Sequence, residues 1–329
     1  MTVKVLNAGL LTTIQDIGRY GSQKYGVIVS GAMDSYSLRI ANILVGNMED
    51  EACLEITLYG TTLHFEDDTL IAITGGDFQT TIDGVNAPLW RPVLIKKNSI
   101  LKFKSAIQGS RAYIAFAGGI STPIIMESKS TYLRAKIGGL EGRAIQKGDI
   151  LSFGEPTDYS QELFQRLDKK SINWSINFNE IINLNQNQVI QILKGTEFQL
   201  FDKESQHTLF EKPYIVTLQS DRMGYRLEGP PLSLSESFEL LSEGVTFGTI
   251  QIPTSGQPII LMADRQTTGG YPKIGQVITA DLPSLAQLQP TATIRFKEVT
   301  ILEAENLLIK KEKFIHNIKK AIHNKVFNE

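Results

Sequence analysis

Four polar segments, three of which combine acids, arginines and glycines and one an acid with glycines, form a pattern that could bind a small anion. They read QDIGRYGSQKYGVIVSGAMD from Gln15, SDRMGYRLEGP from Ser220, SEGVTFGTIQIP from Ser242 and ADRQTTGGYPKIGQV from Ala263. The first holds Arg19 and Asp34, the second Asp221, Arg222 and Arg226, and the fourth Asp264 and Arg265. Glycine lets backbone amides approach a ligand, arginine grips carboxylate or phosphate through paired N–H bonds, and aspartate accepts from amide N–H groups. Gathered at one barrel mouth, such loops would suit a small, polar, amide-containing anion. The opposing reading is a set of tight turns held by Asp–Arg ion pairs. A single segment favours the turns; four together favour a site. Two of the loops open on Asp-Arg, and consecutive side chains on a strand point to opposite faces. One member of each pair can therefore face a ligand while the other anchors the loop. The expected centre is Asp221, Arg222 and Asp264 as catalytic groups. Arg226, Arg265, Gln266, Thr267, Gly269, Gly270 and Tyr271 contact substrate around them, with Arg19 and Asp34 as further binding residues in the N-terminal half.

Other chemistries find little support. There is no GxxxxGK[ST] loop, no GxGxxG opening a helix and no GxSxG elbow. The single cysteine, Cys53, rules out an internal disulfide framework and any multi-cysteine metal site. It lies in an alternating strand pattern and reads as a buried structural thiol. Of four histidines, His316 and His323 sit seven apart on a terminal helix with no third ligand nearby, so solvent exposure is expected and no metal site. His64 and His207 remain as acid–base groups, outside any glycine-rich polar cluster.

A net charge of −2 over 329 residues leaves no basic footprint for nucleic acid. Hydrophobic residues at 42% are enough for a sizeable core. No apolar run is long enough to span a membrane, and MTVKVLNAGLL lacks the layout of a secretory signal. A soluble cytoplasmic protein is the expectation.

The elements that must position the polar loops are mostly strands. Leu54, Ile56 and Leu58 alternate with Glu55, Thr57 and Tyr59; Leu101 and Phe103 with Lys102 and Lys104; Ile294 and Phe296 with Arg295 and Lys297. Each pattern predicts a half-buried strand. Turn signals at Gly75-Gly76, Asp83-Gly84, Gly118-Gly119 and Pro253 give the short spacing of antiparallel barrels or sandwiches. Asp34 or Ser35 can cap a helix with Leu38, Ala41, Leu44 and Val45 on its apolar face and Gly46 as its stop. A final helix carries Ala304, Leu308, Ile315, Ile318 and Ile322 on one stripe and Lys310, Lys311, Lys313, Lys319 and Lys320 on its other face, which predicts docking on a barrel or on a second copy of the chain. A polar, asparagine-rich stretch suggests a linker. The expected division is a first β-barrel subdomain over 1–155, a linker over 156–187, a second β-barrel subdomain over 188–300 and the helix over 301–329.

The polar segments, with ANILVGN and STYLRAKIGGLEGRAIQKGD, carry a resemblance over nearly the whole chain. The sequence resembles the family of 5-oxoprolinase C subunits, also called KipA or allophanate hydrolase subunit 2. That family is similar to the A and B subdomains of urea carboxylase carboxyltransferase. The resemblance implies a mainly β fold of two tandem cyclophilin-like barrels with a few helices and a C-terminal amphipathic helix. It also implies a role beside 5-oxoprolinase subunits A and B, which together cleave 5-oxo-L-proline to L-glutamate with ATP. In that setting an arginine would hold the substrate carboxylate or transferred phosphate, and an aspartate would accept from the lactam N–H.

Two other readings stay open at this level. A carboxyltransferase subunit acting on urea or a related amide would need biotin on another chain, since no AMKM-type lysine motif is present. A regulatory protein that binds a kinase-inhibitor partner of the B-subunit type would need a surface but no acid–arginine loops. The place of the ATP site is not fixed by the sequence.

Overall fold

The computed structural model describes residues 1–170, 172–236 and 240–328. Contacts divide the chain into two units: residues 1–19, 30–184 and 312–329 in the first, and 20–29 and 185–311 in the second. Strands dominate both, as the alternating patterns predict.

The first unit builds a core between two antiparallel sheets. One has six strands, ordered Ile150–Ser152, Thr2–Asn7, Thr62–Phe65, Ile100–Lys102, Thr81–Ile82 and Val85–Asn86. The other has five, ordered Leu11–Gln15, Cys53–Thr57, Gln108–Phe116, Thr69–Asp77 and Pro92–Ile95. Val3, Val5, Leu63 and Phe65 from one sheet meet Leu54, Ile56, Ile73 and Ile114 from the other. The opposite face of the five-stranded sheet is also covered: Cys53, Ala72, Tyr113 and Ala115 pack against Leu38, Ala41, Leu44 and Val45 of the Ser35–Val45 helix. The half-buried pattern expected around Leu54 is therefore corrected. Both faces of Cys53–Thr57 are buried, Glu55 included, and the strand ends before Leu58, whose φ of 57° is left-handed. Cys53 is a buried free thiol, as expected, and burial pushes its pKa well up.

The helix follows its sequence signals. The Asp34 carboxylate accepts from the Ser37 amide at 2.9 Å, and Gly46 closes the helix in the left-handed conformation that glycine adopts without a Cβ penalty. In the polar stretch, Thr157 caps a helix over Asp158–Lys169.

The second unit closes into a barrel. Its strands run, in order round the barrel, Asn187–Lys194, Lys273–Val277, Thr249–Gln251, Ile259–Leu261, Gly224–Glu228, Tyr214–Val216 and Thr293–Glu298. The last pairs in parallel with the first, from Asn187 opposite Thr293 to Ile192 opposite Glu298. Ile294 and Phe296 are buried while Arg295 and Lys297 are exposed, the alternation read from the sequence.

The terminal helix, Ile301–Asn328, opens with a reciprocal capping box: the Thr300 amide donates to Glu303 at 2.7 Å and the Glu303 amide to the Thr300 hydroxyl at 3.3 Å. In the first unit Ile315, Ile318 and Ile322 join the cluster formed by the Ser35–Val45 helix and Leu163. Arg39 bridges Glu49 at 3.0 Å and Glu312 at 2.7 Å beside them. The stripe thus docks within its own chain. His316 is exposed, and the His323 ring stacks 6.0 Å from Tyr159. Removing everything after Glu303 should lower Tm by about 5 °C or more, because it uncovers the apolar face of that cluster. An unchanged melting curve would contradict this docking. Among the described residues, no helix is long and apolar enough to cross a membrane.

Candidate functional site

The strands Gly224–Glu228 and Ile259–Leu261 are antiparallel neighbours in the barrel, with Gly224 opposite Leu261. Their hydrogen bonds continue past the strand ends: Met262 N donates to Met223 O at 2.9 Å and Asp264 N to Arg222 O at 2.7 Å. This brings the two Asp-Arg dipeptides side by side. The arginine of one then pairs with the aspartate of the other. Arg222 Nε lies 2.9 Å from Asp264 Oδ2 and its second terminal nitrogen 3.0 Å from Oδ1, a two-pronged contact with both side chains buried. Such a pair fixes the two loops in register.

The other two members separate. Asp221 is exposed, and its Oδ1 accepts from the amides of Met223 at 2.8 Å and Gly224 at 3.2 Å, which makes it the corner of a turn. Arg265 is half-buried. It donates to the Met262 carbonyl at 3.3 Å, and its guanidinium lies 5.9 Å from the Phe247 ring centroid. Its Nε is buried with no hydrogen-bond partner. Burial lowers its pKa, against the opposing pull of Tyr20 and Asp264. Its guanidinium therefore has donor capacity to spare.

Downstream, Gln266 is exposed, and the Thr267 carbonyl accepts from Val245 N at 3.1 Å. Thr268–Gly269 pairs with Glu243–Gly244 as a two-stranded sheet. A Cβ on Gly269 would sit 2.5 Å from Gln251 Nε2, so it would displace the side chain that braces the Tyr271 carbonyl. Gly270 is exposed. Arg226 and Tyr271 lie elsewhere on the unit: they line a groove of about 870 Å³ on the outer face of the barrel sheet. The residues expected to form one site are thus distributed among a buried ion pair, a turn, a half-buried arginine, a hairpin and a groove.

In the first unit Arg19 and Asp34 are fully buried. Arg19 donates to the carbonyls of Ser130 at 2.7 Å and Ile125 at 3.2 Å, clamping the 125–130 loop, and Asp34 caps its helix. Residues not singled out from the sequence complete this region. Asp16 accepts from Gly18 N, Ser128 Oγ and Lys129 N, and from Ser130 Oγ. Glu55 accepts from Tyr113 Oη at 2.7 Å and from Met33 N at 2.8 Å, while Tyr113 Oη accepts from Asp34 N at 2.8 Å. Burial, with Glu55 alongside, holds the Tyr113 phenol well above its usual pKa, so it stays a neutral donor. This network fixes the SGAMD turn, where Gly31 has φ of 87° and a Cβ would meet Gly18 N at 2.8 Å.

Residues 25–298 match the family described as carboxyltransferase domain, subdomain A and B. The chain belongs to that carboxyltransferase family. Within it, the chain is 38% identical over 323 residues to the C subunit of 5-oxoprolinase from Haemophilus influenzae, covering 98% of this chain and 99% of that one. It is 39% identical over 324 residues to the C subunit of 5-oxoprolinase from Escherichia coli, at the same coverage. The crystal structure of Kluyveromyces lactis urea amidolyase superimposes with a TM-score of 0.87 at 30% identity, over 96% of this chain. This carboxyltransferase-family chain corresponds to only 20% of that much longer polypeptide.

Proposed function

We propose that the chain is the C subunit of a cytoplasmic ATP-dependent 5-oxoprolinase that opens 5-oxo-L-proline to L-glutamate together with subunits A and B. The observation that carries this reading is end-to-end likeness to two proteins named as C subunits of 5-oxoprolinase, with 99% of each covered. The chemistry fits a lactam. Phosphoryl transfer from ATP to the lactam oxygen makes C5 electrophilic, and water adds there. The ring C–N bond then breaks to free the amine, and a second water releases phosphate from the acyl phosphate that remains. An arginine with unused N–H capacity suits the oxyanions along this route, and Arg265, whose buried Nε has no partner, is a candidate for that role. The Arg222–Asp264 pair holds the loop that carries it.

A second reading has its own support. The fold match to urea amidolyase favours carboxyl transfer from a biotin carrier on another chain to an amide such as urea. Reconstitution tests the first reading. Alone, the chain should release neither glutamate nor phosphate from 5-oxo-L-proline and ATP; with subunits A and B it should release both. ATP-dependent ring opening by the isolated chain would contradict the assignment to a non-autonomous subunit.

A further inference from the structure

The outer face of the second barrel carries a surface that matches itself. Along Gly224–Glu228 the alternation buries Tyr225 and Leu227 and turns Arg226 and Glu228 to solvent. The ladders set Glu228 opposite Ile215 and Arg226 opposite Ile259, and Thr217 N donates to the Arg226 carbonyl at 2.9 Å. Leu218 follows Thr217, so it stands at the Arg226 end of this face, with Ile215 at the Glu228 end. All of them, with Pro253 and Tyr271, line the groove described above.

Three features set this face apart from ordinary surface. Its apolar side chains are neighbours and open to solvent: Ile215 is 45% exposed, Leu218 83% and Tyr271 49%. Clustered exposure of this kind marks a surface that another molecule covers. The composition is also selective. Arginine, tyrosine, leucine, isoleucine and proline line the groove, and neither lysine nor aspartate does. Contact surfaces between proteins show that bias, enriched in arginine and aromatic residues and depleted of lysine and aspartate. Finally, among the described residues the Arg226 guanidinium and the Glu228 carboxylate take part in no ion pair or hydrogen bond. Two opposite charges thus sit two residues apart on one strand face, and each is unmatched.

We infer that this face binds a second copy of the chain across a two-fold axis. An axis passing beside Leu227 exchanges positions 226 and 228, so Arg226 of each copy meets the partner's Glu228. Both charges are then matched, and the match occurs twice. The same rotation brings the Leu218 end of each face onto the partner's Ile215 end. The projecting Leu218 side chain is thereby covered along with the apolar surface it meets. Such a contact uses the same patch on both copies and closes on itself, which gives dimers and not filaments. A different protein would have to supply an acid and a base at this spacing; a second copy has them already. The inference concerns assembly and does not depend on which amide the complex acts on.

Analytical ultracentrifugation of the full-length chain, without other subunits and at up to about 100 μM, tests this. The wild type should sediment as a dimer. Arg226→Glu and Glu228→Arg each set like charges against one another at both contacts, and each should weaken dimerisation about a hundredfold or more. Mixing these two variants should restore a dimer with one copy of each, because the acids of one then face the arginines of the other. The chain carrying both reversals should dimerise like the wild type. Leu218→Asp should weaken the dimer at least about tenfold by burying a charge against apolar side chains. A wild-type chain that is monomeric throughout this range would overturn the inference. So would a dimer that neither reversal weakens, or weakened variants that mixing does not rescue. A monomer whose Gly224–Glu228 amides gain hydrogen-exchange protection only when another subunit is added would assign the face to that subunit instead.

Discussion

Asp264→Ala should destabilise the protein by about 3–5 kcal/mol, as measured by urea or thermal denaturation of the isolated chain. Arg222 and Asp264 are both buried and meet through two short N–H to oxygen contacts at 2.9 and 3.0 Å. Removing the carboxylate leaves a guanidinium in a poorly solvated place without its counter-charge, and that penalty exceeds the net worth of the pair itself. Arg222→Ala should behave in the same way for the opposite charge. The pair also sets the register between the loops after two adjacent strands, so both variants should lose order around Met262 and Arg265. A change below about 1 kcal/mol, the range of an exposed ion pair, would show that the pair does not hold the loops.

Arg265→Ala should have the opposite profile. Its hydrogen bond to the Met262 carbonyl is a long one, and its buried Nε has no partner. Removing it gives up little folding energy. If it holds the oxyanion formed as the lactam is activated, turnover in the reconstituted complex should fall by about 30- to 1000-fold, equivalent to about 2–4 kcal/mol of transition-state stabilisation. Because the contact strengthens as charge develops, kcat should fall more than KM rises. Arg265→Lys should recover part of the loss, since it keeps the charge without the planar fork. Near-normal turnover in a well-folded Arg265→Ala variant would remove Arg265 from the chemistry.

Much of the architecture is legible in the sequence, and the residues show why. The Asp34 cap, the Gly46 stop and the alternation at Ile294 and Phe296 are local features, set by backbone geometry and a two- or three-residue period. The terminal helix is equally legible as an amphipathic stripe. Burial on a second face is not. Alternating Glu55 and Thr57 look like a solvated side of a strand, yet the Ser35–Val45 helix covers that face, and Glu55 is satisfied by Tyr113 and Met33. Only a tertiary contact decides this.

The candidate site shows the same limit. The two Asp-Arg dipeptides are visible as a motif, but not that Arg222 crosses to Asp264 and leaves Arg265 with a buried nitrogen to spare. That outcome depends on the ladder between Gly224 and Leu261, a long-range pairing. Arg19 and Asp34 carry the residue types of a binding site, while their burial and their contacts with loop carbonyls and a helix end are those of scaffold.

Service of this carboxyltransferase-family chain in lactam hydrolysis is tested most directly by substrate-dependent ATP consumption. The chain is reconstituted with subunits A and B and supplied with 5-oxo-L-proline or with urea, each in the presence and absence of avidin. Glutamate and phosphate should form from 5-oxo-L-proline at a rate that avidin leaves unchanged, with no turnover of urea. Avidin-sensitive consumption of ATP with urea, and no glutamate from 5-oxo-L-proline, would contradict it.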